Sequence, residues 1–164
     1  MTNLGNLTRS IMTTPETTLN NKPDNLKGPY QSFFDSSPDA LCILDAEGNF
    51  LDVNQSGSQL FGYAPDEFRQ MNVKQIVHPD DLHLSANYMR LLHKDGHYEG
   101  YQGRIVRKDK SIVHVEVSST ANYKDGELIG SYDVVRDISR RKSLELALKR
   151  SEEKYRELFD QSGD

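Results

Sequence analysis

The sequence predicts an α+β fold: a five-stranded antiparallel sheet with short helices on one face, flanked by an N-terminal and a C-terminal helix. Three observations carry that expectation. Ile112-Val113-His114-Val115-Glu116-Val117-Ser118 alternates apolar and polar residues with period 2, the mark of a strand with one buried and one wet face. Charged turns flank it, Lys108-Asp109-Lys110-Ser111 before and Lys124-Asp125-Gly126-Glu127 after, so that Tyr98 to Ser139 reads as three hairpin-connected strands and a helix start. A mostly helical pattern from Gln55 to His93 separates these strands from an earlier hairpin. Strand, strand, short helices and three further strands are most simply satisfied by an antiparallel sheet with its helices on one side.

The chain has 164 residues, enough for one domain with a core and flanking segments. A net charge of −5, mixed along the sequence, argues against a nucleic-acid partner. Cys42 is the single cysteine, which excludes a disulfide framework and a multi-cysteine metal site and fits a reducing, cytoplasmic location. No apolar run approaches the roughly 20 residues of a membrane helix, and Met1 to Ser10 lacks the apolar core of a signal peptide, so no membrane contact is expected within this chain.

Residues 1–28 are rich in Thr and Asn and poor in large apolar side chains, and are expected to form a disordered leader. The domain is expected over residues 29–138. Tyr30, Phe33 and Phe34 stand at helical spacing before a stop at Ser36-Ser37-Pro38-Asp39. Leu41 to Leu44 and Phe50 to Asn54 form a hairpin about the polar turn Asp45-Ala46-Glu47-Gly48-Asn49. Gly62-Tyr63-Ala64-Pro65 breaks the first helical piece. Asp66 to Val77 is expected as the next, with Phe68, Met71 and Ile76 on its apolar side. His78-Pro79-Asp80-Asp81 then opens a third, with proline and two carboxylates suited to the positive end of a helix dipole. The inward face of the sheet is expected to carry Leu41 or Cys42 with their alternates, Tyr101, Gly103, Ile105, Val113, Val115, Val117 and Val135.

Four stretches carry a family resemblance. Phe33 to Ala40, Asp45 to Asn54, Phe61-Gly62-Tyr63 followed by His78-Pro79-Asp80-Asp81, and Gly130 to Ser139 ending in Arg136-Asp137-Ile138-Ser139 resemble, in this order and spacing, the PAS domain of prokaryotic signalling proteins (the PAS/PAC sensory module). The resemblance covers about Tyr30 to Ile138. It implies a ligand pocket between sheet and helices, with Tyr101, Gly103, Ile105, Val113, Val115, Val117, Ser131, Asp133 and Val135 as candidate lining residues. It also implies a signal relay through Arg136, Asp137 and Ile138. For the last strand the two lines of reasoning differ. The family alignment turns Ser131, Asp133 and Val135 inward, whereas periodicity favours Tyr132 and Val134 as the more apolar pair.

Residues 139–164 are expected to form a signalling helix. Leu144, Leu148, Tyr155 and Leu158 occupy heptad a/d positions, with Arg141 and Ser151 in the same seam. The resemblance favours a coiled-coil helix that pairs with a second copy, giving a homodimer to which Phe33, Phe34, Leu144 and Leu148 contribute. Tyr30, Phe34, Asp35, Ser37 and Asp39 recur at an offset of 125 as Tyr155, Phe159, Asp160, Ser162 and Asp164, as though a second PAS-like repeat began there. The chain is therefore expected to be part of a longer, multidomain protein.

No phosphate-binding loop, phospho-acceptor box, cyclase signature or oriented nucleophile is present, so no enzyme activity is expected within the chain. The histidines His78, His83, His93, His97 and His114 lack metal-ligand spacing. His78 is read as structural at a helix start. The flavin-photosensor branch of the family needs a cysteine in its helical region, and residues 55–93 contain none; its flavin-holding amides align near the aliphatic Ile105 and Val115. A haem would have to use His83, on a polar stripe, or His93, on a stripe with Leu82, Ala86 and Met89 that allows it to point inward. Flavin and haem are both disfavoured, and the cofactor, if any, is left open. The expected function is a sensory or regulatory module that binds a small ligand, or relays a signal through dimer helices to an output domain. The parent protein is expected to be a sensor histidine kinase or cyclase of a two-component or similar pathway. The alternative is a ligand-free dimerisation and protein-interaction module.

Overall fold

A computed structural model describes residues 24–163. The element order is α1 (Asp24–Ser36), β1 (Ala40–Asp45), β2 (Phe50–Val53), α2 (Gln55–Phe61), α3 (Pro65–Phe68), 3-10 turns at Val73–Gln75 and Pro79–Asp81, α4 (Leu82–Asp95), β3 (His97–Val106), β4 (Ile112–Lys124), β5 (Glu127–Asp137) and α5 (Ser139–Gln161). The five strands form one antiparallel sheet in the order β2-β1-β5-β4-β3. The chain thus returns β5 to the centre of the sheet, beside both β1 and β4.

The strands follow the alternation. Ala40, Cys42 and Leu44 are buried along β1, Tyr101 and Ile105 on β3, Val113 and Val115 on β4, and Val135 on β5. Cys42 rather than Leu41 therefore faces inward. The β4–β5 turn uses the positive φ of Asp125 (53°) and Gly126 (85°), the conformation its Asp-Gly pair suits. Gly130 sits where β5 crosses β1 so closely that a side-chain carbon would collide with the Leu44 carbonyl.

Helices cover one face of the sheet. Phe50, Phe61 and Phe68 interlock edge to face, with ring centroids 5.1–6.4 Å apart, and pin α2 and α3 to β2. The continuous helix expected over residues 66–77 is instead a single turn, α3, and a 3-10 turn. Phe68 and Ile76 are both buried and Met71 packs on the core, but the connecting backbone bonds to the sheet: the Phe50 N–H donates to the Met71 carbonyl and the Val73 N–H to that of Gly48. Beyond it, the His78 N–H donates to the Arg104 carbonyl and the Val106 N–H to that of Ile76, so residues 76–78 run along β3 like a short extra strand.

Asn54 ties three elements together. It is fully buried; its Oδ1 accepts from the Leu41 and Gly57 N–H groups (2.9 Å each), and its Nδ2 donates to the Phe34 and Asp39 carbonyls (2.9 and 3.0 Å). One side chain thus caps α2 and anchors α1 and β1.

Three expectations at the ends of the chain change. Helix α1 begins at Asp24, inside the stretch read as a leader, and continues through Pro29, which needs no N–H to stay in place once Phe34 is docked. Residues 1–23 of that leader, and Asp164 of the repeat, lie outside the described residues. Phe34, expected at a dimer interface, is only 5% exposed: it stacks on Tyr30 at 5.4 Å and packs into its own domain, whereas its neighbour Phe33 is 74% exposed.

Candidate functional site

Between the sheet and its covering helices lies a cavity of about 630 Å³, within the range of small-molecule sites. Tyr101, Gly103, Ile105, Val115, Val117, Asp133 and Val135 line it, as expected for the inward face. Val113 and Ser131 are buried but do not reach it. At the Val113 end, α2 seals the space, because Arg107 Nε donates to the Leu60 carbonyl (2.8 Å) and the Lys108 N–H to that of Phe61 (3.1 Å). Ser131 has a short side chain, and its register partner Leu44 lines the cavity in its place. Leu82, Ser85, Ala86 and Met89 of α4 contribute the opposite wall.

Asp133 faces inward, and Tyr132 and Val134 are exposed. Periodicity misleads here because the outer face of β5 is itself apolar. The register aligns Tyr98 (β3), Ser119 (β4), Asp133 (β5) and Cys42 (β1) in one row across the sheet. Burial pushes the Asp133 carboxyl above its ordinary pKa, with the nearby Ser119 and Ser131 hydroxyls pulling the other way. Close as those hydroxyls are, Oδ1 of Asp133 meets no donor at hydrogen-bonding geometry. The Tyr98 hydroxyl is pushed up to about 12 by burial, opposed by the Ser119 hydroxyl and reinforced by the Asp133 charge. The Cys42 thiol is raised well above its usual value by burial and then by Asp133 and Asp52, so it is held as the unreactive thiol. The Tyr101 hydroxyl is also enclosed without a partner and lies over Gly103, where a side-chain carbon would come within 2.6 Å of it.

Neither Arg104 nor Arg107 is given to Asp133: Arg107 bonds the Leu60 carbonyl and faces Asp137. Arg104 is clamped on Asp81: its N–H and Nε donate to Oδ2 (2.9 and 3.0 Å) and Nη2 to Oδ1 (2.6 Å), and these bonds hold the Asp81 carboxyl below its ordinary pKa. Asp81 therefore joins the head of α4 to β3 instead of capping the helix with its side chain. His78 does cap: its Nδ1 accepts the Asp80 N–H at 3.3 Å. Sequence reasoning missed the Asp81–Arg104 clamp and Tyr98. The usable signal was a second carboxylate in a helix start that needs only one. His83 and His93 are both exposed and line no part of the cavity, so His93 does not point inward.

At the exit of the sheet, Arg136 makes a bidentate pair with Asp39 at the start of β1 (3.1 and 2.6 Å). Asp137 Oδ1 accepts the Ser139 N–H at 2.8 Å, and Oδ2 lies 3.8 Å from Arg107 Nη2. Ile138 is buried, and its N–H donates to the His114 carbonyl. Arg141, in the first turns of α5, pairs with Glu116 on β4 at 2.8 Å. The end of β5 is thus tied to Asp39 and Arg107, and the root of α5 to β4. The rest of that helix leaves Leu144 and Leu148 each 62% exposed.

Five strands, helices on one face, a cavity beneath them and a helix leaving from the central strand define a sensor module of the PAS class. A family model described as the PAS fold matches residues 50–134, more than half of the chain, and the protein belongs to that family. Among curated proteins, the chain is 25% identical over 135 residues to sporulation kinase E of Bacillus subtilis (strain 168), covering 82% of this chain and 18% of that protein. It is 30% identical over 134 residues to the sensor protein TdiS of Thauera aromatica, covering 80% of this chain and 24% of that one. The chain therefore spans about a quarter or less of these relatives. The crystal structure of a PAS domain from Colwellia psychrerythraea superposes with a TM-score of 0.65 at 25% identity, covering 71% of this chain and 99% of that one. The chain is a sensory signalling module, similar to segments of a sporulation kinase and of a sensor protein.

Proposed function

We propose that this chain is a ligand-binding input module that works as a homodimer in the cytoplasm and drives an output domain, a histidine kinase, through α5. The observation that carries the ligand reading is the cavity of about 630 Å³ with the Asp133 carboxylate enclosed at its floor. A domain with no ligand to bind gains nothing from keeping there a buried carboxyl with one oxygen short of a donor, since its burial costs stability. The relay reading rests on Arg136, Asp137 and Ile138, which join the central strand to the root of α5. The dimer reading rests on exposed apolar side chains: Phe33 on α1, Tyr132 and Val134 on the outer face of β5, and Leu144 and Leu148 on α5. A dimerisation module with no ligand is the second reading that these surfaces support.

Native mass spectrometry of the protein as purified, alongside a Val117→Phe variant, tests the ligand reading. Val117 borders the cavity, so the added ring fills it. A small-molecule adduct on the wild type, absent from the folded variant, is the expected result. Ligand-free protein whose melting temperature and dimerisation are unchanged by filling the cavity would leave the second reading.

A further inference from the structure

We propose that the cavity recognises a small organic ammonium: a protonated amine on an apolar body, its N–H groups donated to Asp133. The inference rests on the ligand-binding reading and adds the class of ligand. Apart from the row that holds Asp133, the sheet side of the space includes Leu44, Ile105, Val115, Val117 and Val135, which offer an apolar body its contacts, with Tyr101 and Arg104 as its polar members. Such a body gains about 25 cal/mol for each Å² removed from water.

The head group follows from Asp133. Its Oδ1 is enclosed and no donor among the described residues meets it at hydrogen-bonding geometry, the Ser119 and Ser131 hydroxyls beside the carboxyl being neutral donors that leave its charge uncompensated. Of the two cations that line the cavity, Arg104 is committed to Asp81 and Lys74 enters from the 3-10 turn at Val73–Gln75; neither bonds Asp133, and Arg107 and Arg136 are held by the Leu60 carbonyl and Asp39. An anionic ligand would place a second negative charge beside the first. A neutral hydroxyl would supply one hydrogen bond and leave the charge uncompensated. An ammonium supplies both the donor and the opposite charge, and a buried charge is tolerated when it is paired and hydrogen-bonded. The same cross-strand row places the Tyr98 hydroxyl, which lines the cavity, beside the carboxylate as a further acceptor, so the several N–H groups of one ammonium can be shared between them. The Tyr98 ring lines the same space and offers a π face to a cation.

Calorimetric titration with two matched pairs tests this: 2-phenylethylamine against 2-phenylethanol, and tryptamine against tryptophol, with wild type, Asp133→Asn and Val117→Phe. The expected result is that at least one amine binds wild type tenfold or more tighter than its alcohol. Asp133→Asn should bring that amine down to the level of the alcohol without weakening the alcohol. The amine–alcohol difference in wild type stands by itself if Asp133→Asn folds poorly. Alcohols that bind as tightly as amines, or amine binding indifferent to Asp133→Asn yet lost in Val117→Phe, would overturn the ammonium while leaving the cavity a ligand site. No binding by any of the four probes, with Val117→Phe melting like wild type, would overturn the ligand reading and this inference with it.

Discussion

Asp133 and Asn54 are both enclosed polar residues, and they stand in opposite states. Every polar atom of the Asn54 amide is used, on four backbone groups of α1, β1 and α2. Replacing it with alanine strands those groups in a closed space, and the expected loss is about 3 kcal/mol in urea unfolding, more than the roughly 1 kcal/mol of an exposed cap. Asp133 is the converse, because burial raises its carboxyl pKa in the folded state. Below the unfolded value, near ~3.9, the group is neutral in both states and costs nothing extra. As pH rises toward the folded value, the unfolded chain ionises more readily, and stability is lost. Asp133→Asn should therefore match the wild type at low pH and melt above it at neutral pH. Melting curves across pH check this, and a gap of the same size at every pH would show that Asp133 is not desolvated. The Asp81 carboxyl is lowered by Arg104, so its contribution has the opposite sign: it is present above the unfolded value and fades as pH falls. Asp81→Asn should lower the melting temperature at neutral pH, with the deficit closing in acid.

At the scale of the element, β4 lies in the core and α5 leads away from it. Val115 is 1% exposed in the middle of the inward face of β4. Val115→Asp should cost several kcal/mol, about what an unpaired carboxylate among aliphatic groups costs, and should give a largely unfolded protein by circular dichroism. Helix α5 is held only at its root, where Asp137 takes up the Ser139 N–H and faces Arg107. Loss of the cap in Asp137→Ala should cost about 1 kcal/mol. If Asp137 relays the signal, the same variant in the full-length protein should leave output no longer responsive to input. A normal response with slightly reduced stability would leave Asp137 a cap alone.

Over the whole molecule, the exposed apolar side chains among the described residues include Phe33, Tyr132 and Val134 on the outer face of β5, and Leu144, Leu148, Tyr155 and Leu158 in the seam of α5. Leu144 and Leu148 are one helical turn apart in that seam, and two buried leucines per chain are worth several kcal/mol to an association. Sedimentation of the double variant Leu144→Glu, Leu148→Glu should show a monomer at concentrations where the wild type sediments as a dimer. A wild type that is monomeric at high micromolar concentration would sink the dimer.

What the sequence determined by itself was whatever depends on near neighbours. The alternation of β4, the Asp-Gly turn, the early hairpin and the helical character of residues 55–93 were all legible, because strand faces and turn conformations are set by residues a few positions apart. The family motifs supplied the inward turn of Asp133, which alternation alone would have reversed, while the strand order β2-β1-β5-β4-β3 came from the tertiary structure. Tertiary structure decided what depends on distant partners. Asp81 and Arg104 are 23 positions apart, and Asp39 and Arg136 are 97; such pairs exist only once the strands are in register. The helix expected at 66–77 gave way because Met71 and Val73 found backbone partners on the first hairpin, bonds worth more to that segment than a second helical turn. Phe33 and Phe34 are adjacent in sequence and alike in chemistry, yet one is buried and the other bare. Only the docking of α1, held at the Phe34 carbonyl by Asn54, distinguishes them. The cross-strand row that gives the cavity Tyr98, Asp133 and Cys42 has the same origin: with Ser119 these residues come from four strands, and only the register of the sheet brings them together.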